Sequence, residues 1–565
     1  MSGTDWLVLV LTIFSIIFYG VWKSRGTKNI KGFLLADKKL PWYHVGFSVM
    51  ATQASAITFL SAPGQAYSDG LRFVQFYFGL PLAMVVLCIT FVPIFKKLNV
   101  YTAYEYLEKR FDNKTRSLTA CLFLLQRGLS TGIAISAPAI VLSAILNFDI
   151  TITTIFIGAC VILYTVFGGA KAVSHTQLLQ MGVIFMTLFI SAYVVIHLLP
   201  PGVGFFDALH IAGKSGKLNA IDTKFDVNNR YNIWSGIIGG FFLQLSYFGT
   251  DQSQVGRYLT GKSISQSRLG LVMNGLIKIP MQFFILMIGA LVFSFYQYHT
   301  PPICFNKVEL TRIENSAYKE EFKKTEADYE RVHEQNKGYV TELVSALHAG
   351  NEAAINEART QMQNTNKEAL AIHKKANELM QKNNPKADIN DTNYIFLSFV
   401  THYLPVGLVG LLIAIIFLAS MGSTASGLNS LASTSVVDFY KRFANKHAGE
   451  KKDLFASRWA TALWGIFCVM VALYAGRLGN LIEAVNILGS LFYGTILGIF
   501  LVAFYLKKIG GTAVFYAALI AEAFIIFAWS RELMAFLWLN VIGCLLVMSI
   551  AFIIQMTLKR DVAKK

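Results

Sequence analysis

"SVMATQASAITFLSAPGQ" (residues 48–65) is too polar for where it lies. It overlaps an apolar segment at 43–62 that is long enough to cross a bilayer. Yet it carries Thr52, Gln53, Ser55, Thr58 and Ser61 and runs into Pro63-Gly64. Lipid offers a free backbone group no partner, so irregular backbone survives at that depth only where protein or a water-filled cavity satisfies it. The stretch therefore fits an interrupted helix whose freed carbonyls face a site. It fits equally a helix packed closely on its neighbours through small residues.

The surrounding chain is built for lipid. Its 565 residues are 54% hydrophobic and only 15% charged, with a mean hydropathy of +0.50. Apolar runs near the roughly 20 residues of a membrane helix recur along most of the length. Spans are predicted at 4–22, 43–62, 73–95, 118–146, 151–168, 175–199, 232–251, 269–297, 395–425, 457–476, 480–506, 511–530 and 534–557. That is an all-α polytopic membrane protein of about thirteen helices. The first apolar run follows Asp5 and precedes Lys23 and Arg25, the reverse of a signal peptide, so it is expected to be retained with the N-terminus outside. Odd parity puts the C-terminus in the cytoplasm.

The loops carry the same topology. Lys23, Arg25, Lys28, Lys31, Lys38 and Lys39 fall on one side with Lys96, Lys97, Lys109, Arg110, Lys114 and Arg116. Arg257, Lys262, Arg268, Lys441, Arg442, Lys446, Lys451, Lys452, Lys507, Lys508, Lys559, Arg560, Lys564 and Lys565 join them, as the positive-inside rule requires. The formal charge of +17 is thus mostly topological, and nucleic acid is not an expected partner. The six cysteines are scattered, with no CxxC pair and no disulfide framework. No transition-metal site is expected.

One region breaks the pattern. From about Lys307 to Asp391 the chain is rich in charged and amide residues, as in "KEEFKKTEADYERVHEQNKGYV" (319–340), with breaks at 349–351 and 383–385. Helix formers dominate, so a helical hairpin on the outer face is predicted. It is either a solvated decoration or a docking surface for an outer partner.

A second interruption favours the broken-helix alternative. "GGFFLQLSYFGTDQSQ" (239–254) carries Gln244, Ser246, Tyr247, Gly249 and Asp251. Spans two to six and seven to eleven form two groups of five, each opening with an interrupted helix and running in opposite senses. Paired broken helices in inverted halves point to a secondary transporter with its site near the midplane. A third piece, "FLASMGSTASGLNSLASTS" (417–435), supplies Ser420, Ser423, Thr424, Ser426, Ser430 and Ser433. These are neutral oxygen ligands suited to a weakly held monovalent cation, or to small-residue packing.

The order of "LPWYHVGFSVMATQASAITFLSAPGQAYSDG", "YTVFGGAKAVSHTQ", "YFGTDQ" followed by "GR", and "LNSLASTSVVDFY" resembles the sodium:solute symporter family. It is closer to the monocarboxylate and multivitamin branch than to the glucose carriers. The resemblance covers about 1–300 and 393–560. It implies a LeuT-type five-plus-five inverted repeat. Residues 1–42 would be an extra helix and loop, 43–199 the first repeat and 200–231 an outer loop. The second repeat would be 232–506, interrupted by the hairpin insertion at 300–392, and 507–565 two further helices and a tail.

The resemblance also implies a sodium site at Ala51, Ala54, Ala419, Gly422 and Ser423. The family usually has two adjacent hydroxyl residues where this chain has Gly422-Ser423, unless Thr424 or Ser420 substitutes. Gln177 stands where some members carry a second-site Asp, so one Na+ is expected as coupling ion. Substrate positions would be Gln53, Thr58, Tyr77, Gln244, Lys278, Glu483 and Asn486, with Tyr247 as gate. Tyr77 and Leu80 replace polar residues of the sugar carriers, which lowers the sugar reading.

Arg72 and Arg127 are candidate anion-binding residues, since intramembrane charge defaults to function. The alternatives are an interfacial anchor for Arg72 and snorkelling for Arg127 and Lys278. The expected function is sodium-coupled symport of a small carboxylate or sugar acid across the plasma membrane, or the inner membrane of a bacterium. The rivals are a proton-coupled or uncoupled carrier, a sugar symporter and a non-transporting sensor. No nucleophile–base pair or P-loop points to an enzyme.

Overall fold

The computed structural model describes residues 1–24, 38–98, 100–146, 148–385, 387–444, 449–475 and 479–563. Arg25, Lys28, Lys31, Lys446, Lys564 and Lys565 of the predicted loop charges lie outside them. Among the described residues the fold is all helical, with one isolated bridge, Leu40 to Gly261. Among these described residues, nine helices are long and apolar enough to cross a membrane, or ten if one bent pair counts as a span.

The chain opens with α1 (Gly3–Ser24). The bent pair follows, α2 (Trp42–Gln53) and α3 (Ala56–Asp69), whose axes differ by 60°. Next come α4 (Leu71–Leu98), α5 (Glu105–Arg110), α6 (Asn113–Leu146) and α7 (Ile150–His197). Although α7 is helical throughout, the Tyr164 hydroxyl lies 3.1 Å from Thr176 Oγ1. Twelve residues of straight helix would separate them by about 18 Å, so the axis bends sharply between them. Two apolar segments result, Ile150–Val166 and Val173–His197, close to the predicted spans 151–168 and 175–199.

After α8 (Phe205–Lys214), a π turn at Ser235–Gly239 leads into α9 (Gly240–Thr250). This helix stops at Asp251 and restarts as α10 (Gln252–Tyr258). Asp251 has extended backbone and caps the new helix by accepting from Ser253 N at 2.8 Å. Then come α11 (Ile264–Tyr296), α12 (Lys307–Glu314), and the hairpin α13 (Lys319–Ala349) and α14 (Glu352–Asn383). Gly350, with φ 65°, makes the left-handed turn between them.

The predicted span 395–425 is corrected. The chain forms a short α15 (Ile395–Tyr403), turns through Pro405 and Gly407, and only then enters α16 (Leu408–Thr434). Gly407 has φ 91°, which favours glycine. Asp5 fixes the start of α16 by accepting from Gly407 N at 2.6 Å and Gly410 N at 3.3 Å, a carboxylate at a helix N-terminus. The remainder is α17 (Glu450–Ala475), α18 (Leu481–Tyr505), α19 (Gly511–Ser530) and α20 (Phe536–Ala563).

Packing places the broken helices centrally. α11 lies along both α2 and α3, α16 packs on α6 and α7, and α18 packs on α6, α9 and α20. The hairpin is joined to this bundle by polar clasps. Asn336 donates to Gln297 at 2.8 Å and accepts from Thr365 at 2.6 Å, and His348 meets Asp207 at 2.9 Å. Behind it, Asn393 accepts from Ser61 of α3 at 2.8 Å and donates to Gly479 O at 3.0 Å. The hairpin's base thereby ties α3 to the segment entering α18.

Candidate functional site

The break between α2 and α3 frees particular carbonyls. Ser55 N donates to Gln53 O at 3.1 Å and Thr58 N to Ser55 O at 3.0 Å. In a continuous helix these amides would serve Ala51 O and Ala54 O. Both carbonyls are thus released from the ladder, which is what a dehydrated cation needs at bilayer depth.

Opposite lies α16. Ser423 Oγ donates to Ser420 O at 3.2 Å, which leaves its lone pairs for a ligand. Thr424 Oγ1 is buried without a hydrogen-bond partner among the described residues. Gly422 O is already engaged, accepting from Ser426 Oγ at 2.8 Å and from Gln177 Nε2 at 3.3 Å. Gln177 also donates to Thr52 and Ser426 and accepts from Ser48 at 2.7 Å, so it stitches α7 to α2 and α16. A Cβ at Gly422 would meet Gln180 Oε1 at 2.8 Å. The missing hydroxyl at that position therefore matches space taken by α7. The freed carbonyls of Ala51 and Ala54 and the Ser423 hydroxyl are neutral oxygen donors of the kind Na+ takes, whereas Gly422 O is already engaged.

One turn along the same break is a cavity of about 90 Å³, lined among others by Gln53, Thr58, Tyr77, Arg127, Tyr247 and Asn486. Those six sequence candidates come together from α2, α3, α4, α6, α9 and α18. Gln244 is buried beside it, its Oε1 accepting from Gln53 Nε2 at 3.4 Å. Gln53 Oε1, Gln244 Nε2, Gln126 Oε1 and Arg127 Nε are all buried without partners among the described residues. Buried polar atoms are normally paired, so Gln53, Gln126 and Arg127 on one wall, with Gln244 beside them, offer unpaired groups to a polar ligand.

Arg127 ion-pairs with Asp251 at the α9–α10 break. Tyr493 donates to the same carboxylate oxygen at 2.9 Å. The Arg127 guanidinium lies 5.5 Å from the Tyr247 ring centre, and Gln254 donates to the Tyr247 hydroxyl at 2.7 Å.

Three candidates lie elsewhere. Glu483 accepts from Arg230 at 2.7 Å and Tyr231 at 3.2 Å, which turns it to the loop before α9. Lys278 is fully buried behind Tyr77, its Nζ 5.6 Å from that ring and off the cavity wall. Arg72 is exposed and off the wall as well. Sequence reasoning missed Gln126, Ser130 and Tyr493 on the wall. Helical spacing could have found them: Ser130 lies one turn from Gln126, and Tyr493 two turns from Asn486 on the same face.

A family model described as the sodium:solute symporter family matches residues 33–317 and 376–521. The chain belongs to this family of membrane transporters. The two matched stretches leave 318–375, most of the hairpin, unmatched. Among relatives, the chain is 26% identical to the sodium-coupled monocarboxylate transporter 1 of Xenopus laevis, over 88% of this chain and 67% of that protein. It is 24% identical to the sodium/sialic acid symporter NanT of Aliivibrio fischeri, over 97% and 92%. It is 25% identical to the sodium/glucose cotransporter of Vibrio parahaemolyticus, over 90% and 82%. The fold is shared with the solved structure of a Na+-coupled sialic acid symporter in a substrate-bound outward-open state, with a TM-score of 0.76 over 98% of each chain at 19% identity.

Proposed function

We propose that the protein is a sodium-coupled symporter of a small organic acid, working by alternating access. The observation that carries this is the α2–α3 break, which frees Ala51 O and Ala54 O toward α16 beside a cavity holding Arg127. One Na+ is held by the carbonyls of Ala51, Ala54 and Ala419 and the Ser423 hydroxyl. Thr424 supplies the second hydroxyl in place of the one absent at Gly422. The solute lies among Gln53, Thr58, Tyr77, Gln244 and Asn486, with its carboxylate toward Arg127. Tyr247 closes the cavity on the side away from the hairpin. Lys278 acts on the solute only through Tyr77, and Arg72 and Glu483 belong to the hairpin-side rim.

The helices form two inverted groups, 43–199 and 232–506, within about thirteen spans. Residues 507–565 add two flanking helices and the tail. The hairpin faces outward, the N-terminus lies outside and the C-terminus in the cytoplasm, as the basic loops require.

The test is uptake into proteoliposomes of a labelled carboxylate panel and a sugar panel, each with and without an inward sodium gradient. Sodium-driven accumulation of an acid is expected, and at a fixed low sodium concentration it should fall in Ser423→Ala and in Thr424→Val. Accumulation that ignores sodium would overturn the ion assignment and leave a proton-coupled or uncoupled carrier. Accumulation of sugars alone would overturn the acid assignment.

A further inference from the structure

Arg127 is the cationic group on the cavity wall, yet it is not electrically available. Its Nη2 is engaged by the carboxylate of Asp251 and lies 3.3 Å from the Tyr493 hydroxyl. One guanidinium nitrogen is thus spent on the protein's own carboxylate, while the side chain lines the cavity and its buried Nε has no partner among the described residues. A carboxylate added beside the intact pair would leave one uncompensated negative charge in a buried site, which is a costly state. Two carboxylates then compete for one guanidinium, which can pair closely with only one of them.

Asp251 is built to be the one that leaves. Its Oδ1 accepts from Ser253 N at 2.8 Å and Ser253 Oγ at 2.7 Å, and its Oδ2 from Tyr493 at 2.9 Å. Losing Arg127 leaves both oxygens with donors. Asp251 is also the residue at which α9 ends and α10 begins. The pair therefore braces α6 against the break of a second interrupted helix.

We propose that Asp251 is the counter-anion that an incoming carboxylate displaces from Arg127, and that this exchange unlocks α10. The proposal rests on the acid-transport reading above and adds a positioning residue to it. Recognition of the solute and release of the segment beneath it become one event. A neutral solute of the same shape can fill the cavity but cannot free Asp251.

The experiment is hydrogen–deuterium exchange of the peptide covering Gln252–Tyr258 in purified full-length protein with sodium present. Wild type is compared with Arg127→Met, Arg127→Lys and Tyr493→Phe. Each is measured alone, with L-lactate, nicotinate or N-acetylneuraminate, and with lactamide, nicotinamide or N-acetylmannosamine. Without ligand, Arg127→Met is expected to speed exchange at least threefold. Tyr493→Phe should speed it less, and Arg127→Lys should restore it toward wild type. At least one acid should reproduce the Arg127→Met rate in wild type, with no effect of its neutral counterpart.

Wild-type exchange in a folded Arg127→Met protein overturns the brace, whatever the substrate. Faster exchange in Arg127→Met that none of the acids reproduces in wild type overturns the displacement. An acid that speeds exchange in wild type while uptake shows no sodium dependence supports the exchange of counter-anions and overturns only the coupling assigned above.

Discussion

A methyl group at Gly64 would sit 1.9 Å from the carbonyl oxygen of Thr392, and one at Gly289 would sit 2.1 Å from that of Pro63. Both obstacles are backbone, so neither can swing aside. Gly64→Ala and Gly289→Ala should each destabilise the protein by about 1–3 kcal/mol or more. Gly182→Ala, which meets nothing within 4 Å, should leave the melting temperature unchanged; a fluorescence melt in detergent compares the three. At the proposed ion site, Ser423→Ala removes one hydroxyl donor. A lost interaction with a charged group is worth about 1.5–3 kcal/mol, so half-saturating sodium in uptake assays should rise roughly tenfold or more.

Residue by residue, legibility followed locality. Gln53 and Thr58 could be placed because the break that exposes them lies in their own segment. Glu483 could not, because its partner Arg230 sits 253 residues away in a loop. Arg127 was visible as an intramembrane charge, but its ion pair with Asp251 is a tertiary fact.

Among the elements, the hairpin α13–α14 offers a sharp test, because it lies outside the apolar spans and carries a buried histidine. His333 is held by burial near a pKa of about 4, below its ordinary 6.5. Between those values the unfolded hairpin binds a proton that the folded one refuses. Its stabilising contribution is therefore present above pH 6.5 and lost as pH falls toward 4. Asp388 at the hairpin base works the other way. Burial raises it to about 6 from 3.8, so the folded state gains stability as pH falls through that window.

Exchange protection of α13 should weaken on acidification from pH 7 to 5 in wild type. In His333→Leu it should hold steady or strengthen as Asp388 takes up its proton. Asp388→Asn should raise protection at pH 7. Unchanged pH dependence in His333→Leu would remove His333 as the cause. The hairpin's existence was readable from helix formers and balanced charge. Its seat on α8 and α11, through Asn336 and His348, was not.

For the whole molecule, the coupling arithmetic gives the last prediction. One monovalent cation moving through 100 mV supplies roughly 2.3 kcal/mol, which at about 1.4 kcal/mol per tenfold concentrates a solute on the order of fortyfold if the solute's own charge is not carried. A carboxylate anion moving with one Na+ is electroneutral, so its accumulation should follow the sodium gradient and ignore a potassium-diffusion potential set with valinomycin. Accumulation that rises with that potential would mean a second coupling cation or a neutral solute.

Taken alone, the amino-acid order determined that the chain is a bundle of membrane helices with interruptions within 48–65 and 239–254. Apolar run length and polar residues inside an apolar run are local properties, readable before any helix is packed. The tertiary structure decided what those interruptions serve. It turned the predicted span at 395–425 into a short helix and a Gly407 turn, and it joined the predicted spans 151–168 and 175–199 into one sharply bent helix, α7. It gave the space beside Gly422 to Gln180 and bound Arg127 to Asp251 across 124 residues. Such pairings depend on which helix faces lie together, and hydropathy sets where a helix runs without setting how it is turned.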